Sequence, residues 1–549
     1  MTLLHKWWQL LHSSTLLNLF LFSLLLLFSL LHLLKLTGGR KLNFPPSPPK
    51  FPIIGNLHQI GTLLHQSLHA LSEKYGPILL LHFGNITVLI VSSSEIARDL
   101  MKCHDAVFLN RPQLKAVNVL CYGCTDIAFC PYGEYWRQAK KICVLEILSQ
   151  RRVQAFQFVR EEEVAEMVEK IRSSCMNVAA IDLGEMLVTI SNDITSRSSV
   201  GQKYEGEEGS MNCGHLSRKA IELVGAFCFE DLVPWLGWVD VLTGFSARLR
   251  RTSKALHAVL DQIIEEHEKS GDSNQSDKKD FVDILLHLRE NGMLDIDITK
   301  DNIKAILLDM FVAGTETTAT VMEWAMAELV KNPGVMKKTQ EEVRKVVGEK
   351  SEVNEADLGQ MEYLKCIVKE TLRLHPPVMV TRSTSASAKL VGYDIPPRTT
   401  ILINTWAIQR DPKLWDRPEE FLPERFLNNS IDFRGHHDQF IPFGMGRRGC
   451  PGISFAILEV EYVLANLLYW FDWELPDGAT VEDFDMTEIY RVVIRRKAPL
   501  RLLPIFHFQS SITDLPSLNS WQTRCSSISE KVIFQGEPQE PEHFYSIYP

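Results

Sequence analysis

Phe443-Gly444-Met445-Gly446-Arg447-Arg448-Gly449-Cys450-Pro451-Gly452 sets four glycines and two arginines around one cysteine. Glycine has no Cβ, so the backbone can turn sharply there and a flat ligand can come close. A proline directly after Cys450 suits the first position of a helix, where no N–H is needed. Ile453 to Trp470 follows with helical apolar spacing. The pattern predicts Cys450 at a helix N-terminus, beside unpaired N–H groups and the positive end of the dipole. That setting favours thiolate over thiol. A thiolate in such a loop can be the axial ligand of a haem iron, to which it donates electron density. The plainer alternative is a buried free cysteine.

The whole chain is consistent with a large folded body. Of its 549 residues 45% are hydrophobic and 23% charged, which allows an ample core. The net charge of −10 gives no reason to expect a nucleic-acid partner. Cys121 and Cys124 form one C-x-x-C, but no second pair follows at zinc spacing. The eleven dispersed cysteines read as reduced thiols in the cytosol.

Thr15 to Leu34 has no Asp, Glu, Lys or Arg and is dominated by Leu and Phe, long enough to cross a bilayer. Trp7 and Trp8 precede it, and Lys35, Arg40 and Lys41 follow it against Lys6 before it. Residues 1–36 are therefore expected to hold an uncleaved single-pass anchor, with its N-terminus luminal and the body cytosolic. Residues 37–50, with Pro45-Pro46-Ser47-Pro48-Pro49, read as a stiff hinge.

Further along, Ile78 to Val91 alternates around Gly84-Asn85 and predicts a hairpin. Tyr135 to Lys141 opens a helix that places Trp136 and Lys140 on one face, and Arg151 to Arg172 predicts a charged helix. Ala226 to Trp238 is unusually aromatic, as a membrane-dipping lid or as ordinary core. Lys269 to Asp280 reads as a polar loop. Asp301 to Lys331 is one long helical pattern interrupted by Ala313-Gly314-Thr315-Glu316-Thr317-Thr318. Glycine and threonine weaken a helix, so a local opening is expected there. Glu370 and Arg373 stand at i, i+3 before Leu374-His375-Pro376-Pro377 ends their helix. Ile505 to Pro549 has no helical or strand period, and 505–549 is expected to be a disordered extension.

The cysteine loop resembles the haem loop of cytochromes P450 at Phe443, Gly446, Arg448, Cys450 and Gly452. The Ala313–Thr318 segment, Glu370-Thr371-Leu372-Arg373 and Pro423-Glu424-Arg425-Phe426 resemble the other motifs of that family, in the family's order. Pro45 to Pro49, Ile54-Gly55-Asn56-Leu57-His58 and Pro131-Tyr132-Gly133-Glu134-Tyr135-Trp136 are similar to the seventy-one clan of plant members. The resemblance implies a mainly α fold with small β-sheets over residues 51–504. It implies haem b, with Cys450 as iron ligand, Phe443, Gly444 and Gly452 around it, and Trp136, Lys140, Arg382 and Arg448 toward the propionates. It also implies that Thr317 hydrogen-bonds dioxygen, that Glu316 relays protons, and that Glu370, Arg373 and Arg425 form a buried structural triad.

The implied activity is an NADPH- and O2-dependent monooxygenase of small lipophilic metabolites, in the endoplasmic reticulum membrane, with NADPH–cytochrome P450 reductase as electron donor. Arg137, Lys140, Lys141, Arg434 and Arg447 are candidates for a basic docking face. A haem enzyme that dehydrates or rearranges its substrate without O2 is the alternative, and a membrane-tethered binding protein without catalysis is a third. Three departures from the family stand out. Lys140 replaces the usual arginine, the Pro377–Arg382 stretch is about two residues short, and Arg491 stands where relatives carry a small glycine. Arg491 either points to water or meets a polar substrate.

Overall fold

The computed structural model describes residues 18–27, 29, 42–103, 105–203, 213–270, 279–291, 296–350 and 352–507. Long helices surround one central helix, Lys300–Lys331. Thr299 and Asn302 start that helix with a reciprocal capping box, and Asn332-Pro333 ends it. It packs against Leu183–Val200, Cys213–Val224, Glu362–Leu374 and Ile453–Trp470. Both Lys300–Lys331 and Ile453–Trp470 are long and apolar enough to span a bilayer, but most of each is buried in the core. Asn18–Leu27 is a shorter apolar helix with an exposed surface. The rest of the expected 1–36 anchor, apart from Ser29, lies outside the described residues.

The predicted hairpin is present as Ile78–Phe83 and Ile86–Val91. It forms one side of a four-stranded sheet with Thr400–Ile403 and then Val380–Ser383. The Val91 edge runs parallel to Thr400–Ile403, and Arg382 pairs with Ile401 in the antiparallel last strand. Gly84 turns the hairpin at φ 60°, and a Cβ there would lie 2.2 Å from the Leu232 carbonyl oxygen. A second sheet joins Ile181–Asp182, Arg501–Phe506 and Phe471–Glu474.

That second sheet corrects the domain boundary. Residues 505 and 506 continue the strand beyond Pro504, and Phe506 is buried against Phe471. The strand is short and contains a proline, so its period is invisible without its partner. Residues 508–549 lie outside the described residues. Helix Phe245–Ser270 runs through Lys269, where the polar sequence predicts a loop. Residues 271–278 lie outside the description, and Asp280 caps the next helix through the Asp283 N–H.

Candidate active site

The cysteine loop is built by its glycines. Gly444 and Gly446 take left-handed φ of 72° and 69°. At Gly446 a Cβ would also sit 2.9 Å from the Met101 carbonyl oxygen, so glycine is required twice over. The Cys450 N–H donates to Phe443 O at 3.0 Å and closes the loop. Phe443 is steadied by an edge-to-face contact with Phe433. A Cβ on Gly452 would reach to 3.9 Å from Cys450 Sγ.

Two sequence expectations about Cys450 are corrected here. The helix begins at Ile453 with Gly452 as its cap, so Pro451 precedes the helix and does not occupy its first position. Burial raises the thiol, outweighing the Gly452 N–H and Lys140, which pull it down. The Cys450 side chain is nonetheless exposed. Protein alone does not make the thiolate; coordination to a metal would.

Cations converge on this loop. Lys140 Nζ donates to Gly449 O at 2.6 Å, and burial lowers this ammonium to about 8. Arg448 is buried and donates to the carbonyls of Leu109, Ile127 and Cys130. Its guanidinium lies 4.0 Å above the Trp136 ring, whose Nε1 donates to Ile127 O at 3.0 Å. Arg382 is 1% exposed and donates to Thr381 O and Met445 O.

On the central helix, Ala313 is exposed and Val312, Gly314 and Thr317 are half-buried, whereas Thr315, Glu316 and Thr318 are buried. Thr317 Oγ1 donates to Ala313 O at 2.6 Å. The helix is continuous from Ala313 to Thr318, so the expected opening is absent. Gly314 serves packing: a Cβ there would come within 3.3 Å of Thr195 Oγ1 on the neighbouring helix. Glu316 faces elsewhere, 6% exposed, with Arg218 Nε 3.3 Å from its Oε1. Arg218 was missed in the sequence, where nothing local links it to Glu316.

The structure brings Glu370, Arg373 and Arg425 together. Arg373 grips both Glu370 oxygens at 2.8 Å, and Arg425 Nε reaches Oε1 at 3.0 Å. Glu370 and Arg373 are fully buried. Arg491 is half-exposed, 3.7 Å from Glu222, in the turn of the hairpin Glu488–Arg496. Phe227, Trp235 and Trp238 are exposed, so they are not core.

The arrangement defines a class: a mainly helical protein in which a glycine-built loop presents an exposed thiol beside buried cations. Comparison with known proteins agrees. The family profile described as Cytochrome P450 matches residues 45–503. Cytochrome P450 71A1 of Persea americana is 52% identical over 82% of this chain and 91% of its own length. Phenylacetaldehyde oxime monooxygenase of Prunus mume is 48% identical over 92% of this chain and 98% of its own. A zebra fish cytochrome P450, solved with abiraterone, superposes with a TM-score of 0.66 at 24% identity, over 80% of this chain and 99% of that one.

The chain belongs to the cytochrome P450 family, among the seventy-one clan of plants, and is a haem-thiolate monooxygenase. It uses O2, a redox partner and a small-molecule substrate. The residues present suit the cofactor. Cys450 offers an exposed sulfur, Gly452 leaves room beside it, and the nearby cations Lys140, Arg382 and Arg448 would suit the two carboxylates of a haem.

Proposed function

We propose that this chain oxidises a small lipophilic plant secondary metabolite, with Cys450 as the iron ligand and Thr317 as a residue that would hydrogen-bond dioxygen. The observation that supports the reading is the glycine-built loop that leaves Cys450 exposed beside the buried cations Lys140 and Arg448. Haem, when bound, supplies O2 activation and oxygen insertion; the protein supplies ligation, orientation and protons. Trp136, Lys140, Arg382 and Arg448, which donate to backbone carbonyls here, would hold the haem propionates, to which charged donors bond more strongly. Phe443 and Gly444 shape the thiolate side. Thr317 Oγ1 leaves Ala313 O to hold a proton at the oxygen site. Glu316 feeds that proton from the Arg218 side of the helix. Glu370, Arg373 and Arg425 keep the scaffold rigid beneath the loop.

NADPH–cytochrome P450 reductase is the electron donor in this reading. Lys141, Arg434 and Arg447 are exposed and suit an acidic partner, whereas Lys140 is turned into the site. The protein sits on the endoplasmic reticulum membrane by a single span in 1–36, with 37–50 as hinge, a haem domain from 51 and a C-terminal extension after Phe506. The exposed Phe227, Trp235 and Trp238 suit a second membrane contact.

The test is reconstitution. The reduced, CO-bound full chain is expected to give the thiolate-type spectrum, and product is expected from a source-tissue extract only with reductase, NADPH and O2. Product formed equally well without O2 would replace monooxygenation by rearrangement or dehydration.

A further inference from the structure

Two histidines and two glutamates form a buried chain that the reaction does not use. His65 Nε2 lies 2.7 Å from Glu488 Oε2, and His375 Nε2 lies 2.7 Å from Glu328 Oε1. His375 Nδ1 stands 3.7 Å from Glu488 Oε1, so the order is His65, Glu488, His375, Glu328. All four side chains are at most 10% exposed. They join the helix Leu64–Tyr75, the hairpin Glu488–Arg496, the end of Glu362–Leu374 and the central helix. The His375 ring stacks on Trp324 at 3.9 Å and 4°, which fixes where its nitrogens point. A carboxylate accepts, so Nε2 of each histidine donates. Both Nδ1 atoms are buried and have no hydrogen-bond partner among the described residues. His65 needs only its one proton to hold Glu488. His375 with one proton serves Glu328 and turns a lone pair toward the Glu488 carboxylate. A second proton, on Nδ1, turns that repulsion into attraction, and a small shift from 3.7 Å completes a charge-assisted bond.

We propose that His375 is a proton-operated fastener for the hairpin Glu488–Arg496: the imidazolium grips Glu328 and Glu488 together, and the neutral ring lets Glu488 go. The other strand of the hairpin is held without a titrating group. The Ile494 N–H donates to Pro377 O at 2.8 Å, and Trp324 Nε1 donates to Ile494 O at 3.3 Å. The Glu488 strand is therefore the one that a proton releases. The hairpin turn carries Arg491, 3.7 Å from Glu222 on the helix Cys213–Val224, and Val492, whose Cγ2 a Cβ on Gly225 would approach to 3.0 Å. Release loosens this seam, and its bearing on substrate rests on the monooxygenase reading.

The surroundings leave the switch to His375. Burial by itself raises Glu488, but the two histidines hold it well below the carboxylate range, so it stays ionised while His375 titrates. Gln66 also donates to Glu488 Oε2, at 3.3 Å. Arg410 faces Glu488 but is committed to Glu419 at 3.2 Å and to the Trp406 ring. Burial pushes Tyr490 up, and it stays neutral beside the His65 ring. Arg496, opposite Glu488 in the hairpin, donates to Asp485 O, and Arg373 is paired with Glu370. His69 packs edge-on against Trp406 and serves as a control. Glu323, one residue before Trp324, is raised by burial to about 7 and faces Arg495 and Arg496. Its ionisation on raising the pH would tighten the hairpin, the opposite sign to release by His375.

Hydrogen exchange of the full-length, haem-loaded protein, read by mass spectrometry and corrected for intrinsic pH dependence, tests this. Peptides spanning 486–497 should lose protection about tenfold as pH rises from about 5 to about 8, the effect of losing one bond to a charged group. His375→Gln should abolish that step. Glu328→Gln keeps the ring stack and should move the step to lower pH, because removing an anion disfavours the imidazolium. It tests the proposal even if the histidine variant does not fold. His65→Gln and His69→Gln should keep the step. A step that survives His375→Gln, or that stays at the parental pH in Glu328→Gln, overturns the proposal. So does a parent whose hairpin shows no step or tightens as pH rises. None of these results touches the monooxygenase reading, which stands or falls on the thiolate-type CO spectrum.

Discussion

Glu370→Ala should be the most destabilising single change around the cysteine loop. Glu370 receives two bonds from Arg373, one from Arg425 and one from the Leu422 N–H. Its removal strands Arg373, whose side chain is 0% exposed and whose remaining bonds go to the carbonyls of Gln409, Pro418 and Glu420. Breaking a buried pair in this way costs about 3–5 kcal/mol. Arg425→Ala is milder. Arg425 is 10% exposed, and Glu370 keeps both Arg373 and the Leu422 N–H, so the loss is about 1.5–3 kcal/mol, one bond to a charged group. Urea midpoints of the haem-loaded chain should rank parent, then Arg425→Ala, then Glu370→Ala, and the double variant should fall short of the sum because the sites touch. Equal midpoints for the two single variants would refute the reasoning, since they would mean that Arg373 is not left uncompensated.

Cys450→Ser should abolish the thiolate-type CO spectrum, because the softer and more donating ligand is lost. Thr317→Ala should slow product formation while NADPH is still consumed and peroxide rises, read from the ratio of product to NADPH. Lys141→Glu with Arg434→Glu should raise the reductase concentration needed for half-maximal turnover at low salt and leave the substrate-induced haem spectrum unchanged. The His267–Asp280 contact of 2.9 Å raises His267 from its usual 6.5 to about 9, chiefly through that hydrogen bond. A raised histidine stabilises the fold fully below pH 6.5 and loses that contribution as pH climbs through about 9. The difference in thermal midpoint between parent and His267→Gln should therefore shrink across that window.

Much of the site could be read before folding, because its chemistry sits in contiguous segments. Phe443 to Gly452 carries the loop geometry in its glycines, and Glu370 and Arg373 lie one helical turn apart. The Ile78–Val91 hairpin and the long Lys300–Lys331 helix follow from local period and turn residues. Trp136 and Lys140 share a helix face by spacing alone. What could not be read locally has its reason in distant partners. A strand ending at Phe506 shows no period when its partner is Phe471, and the threonines near Gly314 weaken an isolated helix but not one packed against Thr195.

The sequence by itself determined the residue types, their order and every feature that depends on neighbours within a turn or a hairpin. Only the tertiary structure decided which distant groups meet. Asp309 finds the Ile127 N–H across 182 residues, and Arg448 finds Leu109 O across 339. It also decided charge states: the helix-end setting that favours a thiolate at Cys450 is local, but the burial that opposes it comes from the whole fold. Periodicity records which face is apolar, whereas a polar partner on another element leaves no mark in the spacing.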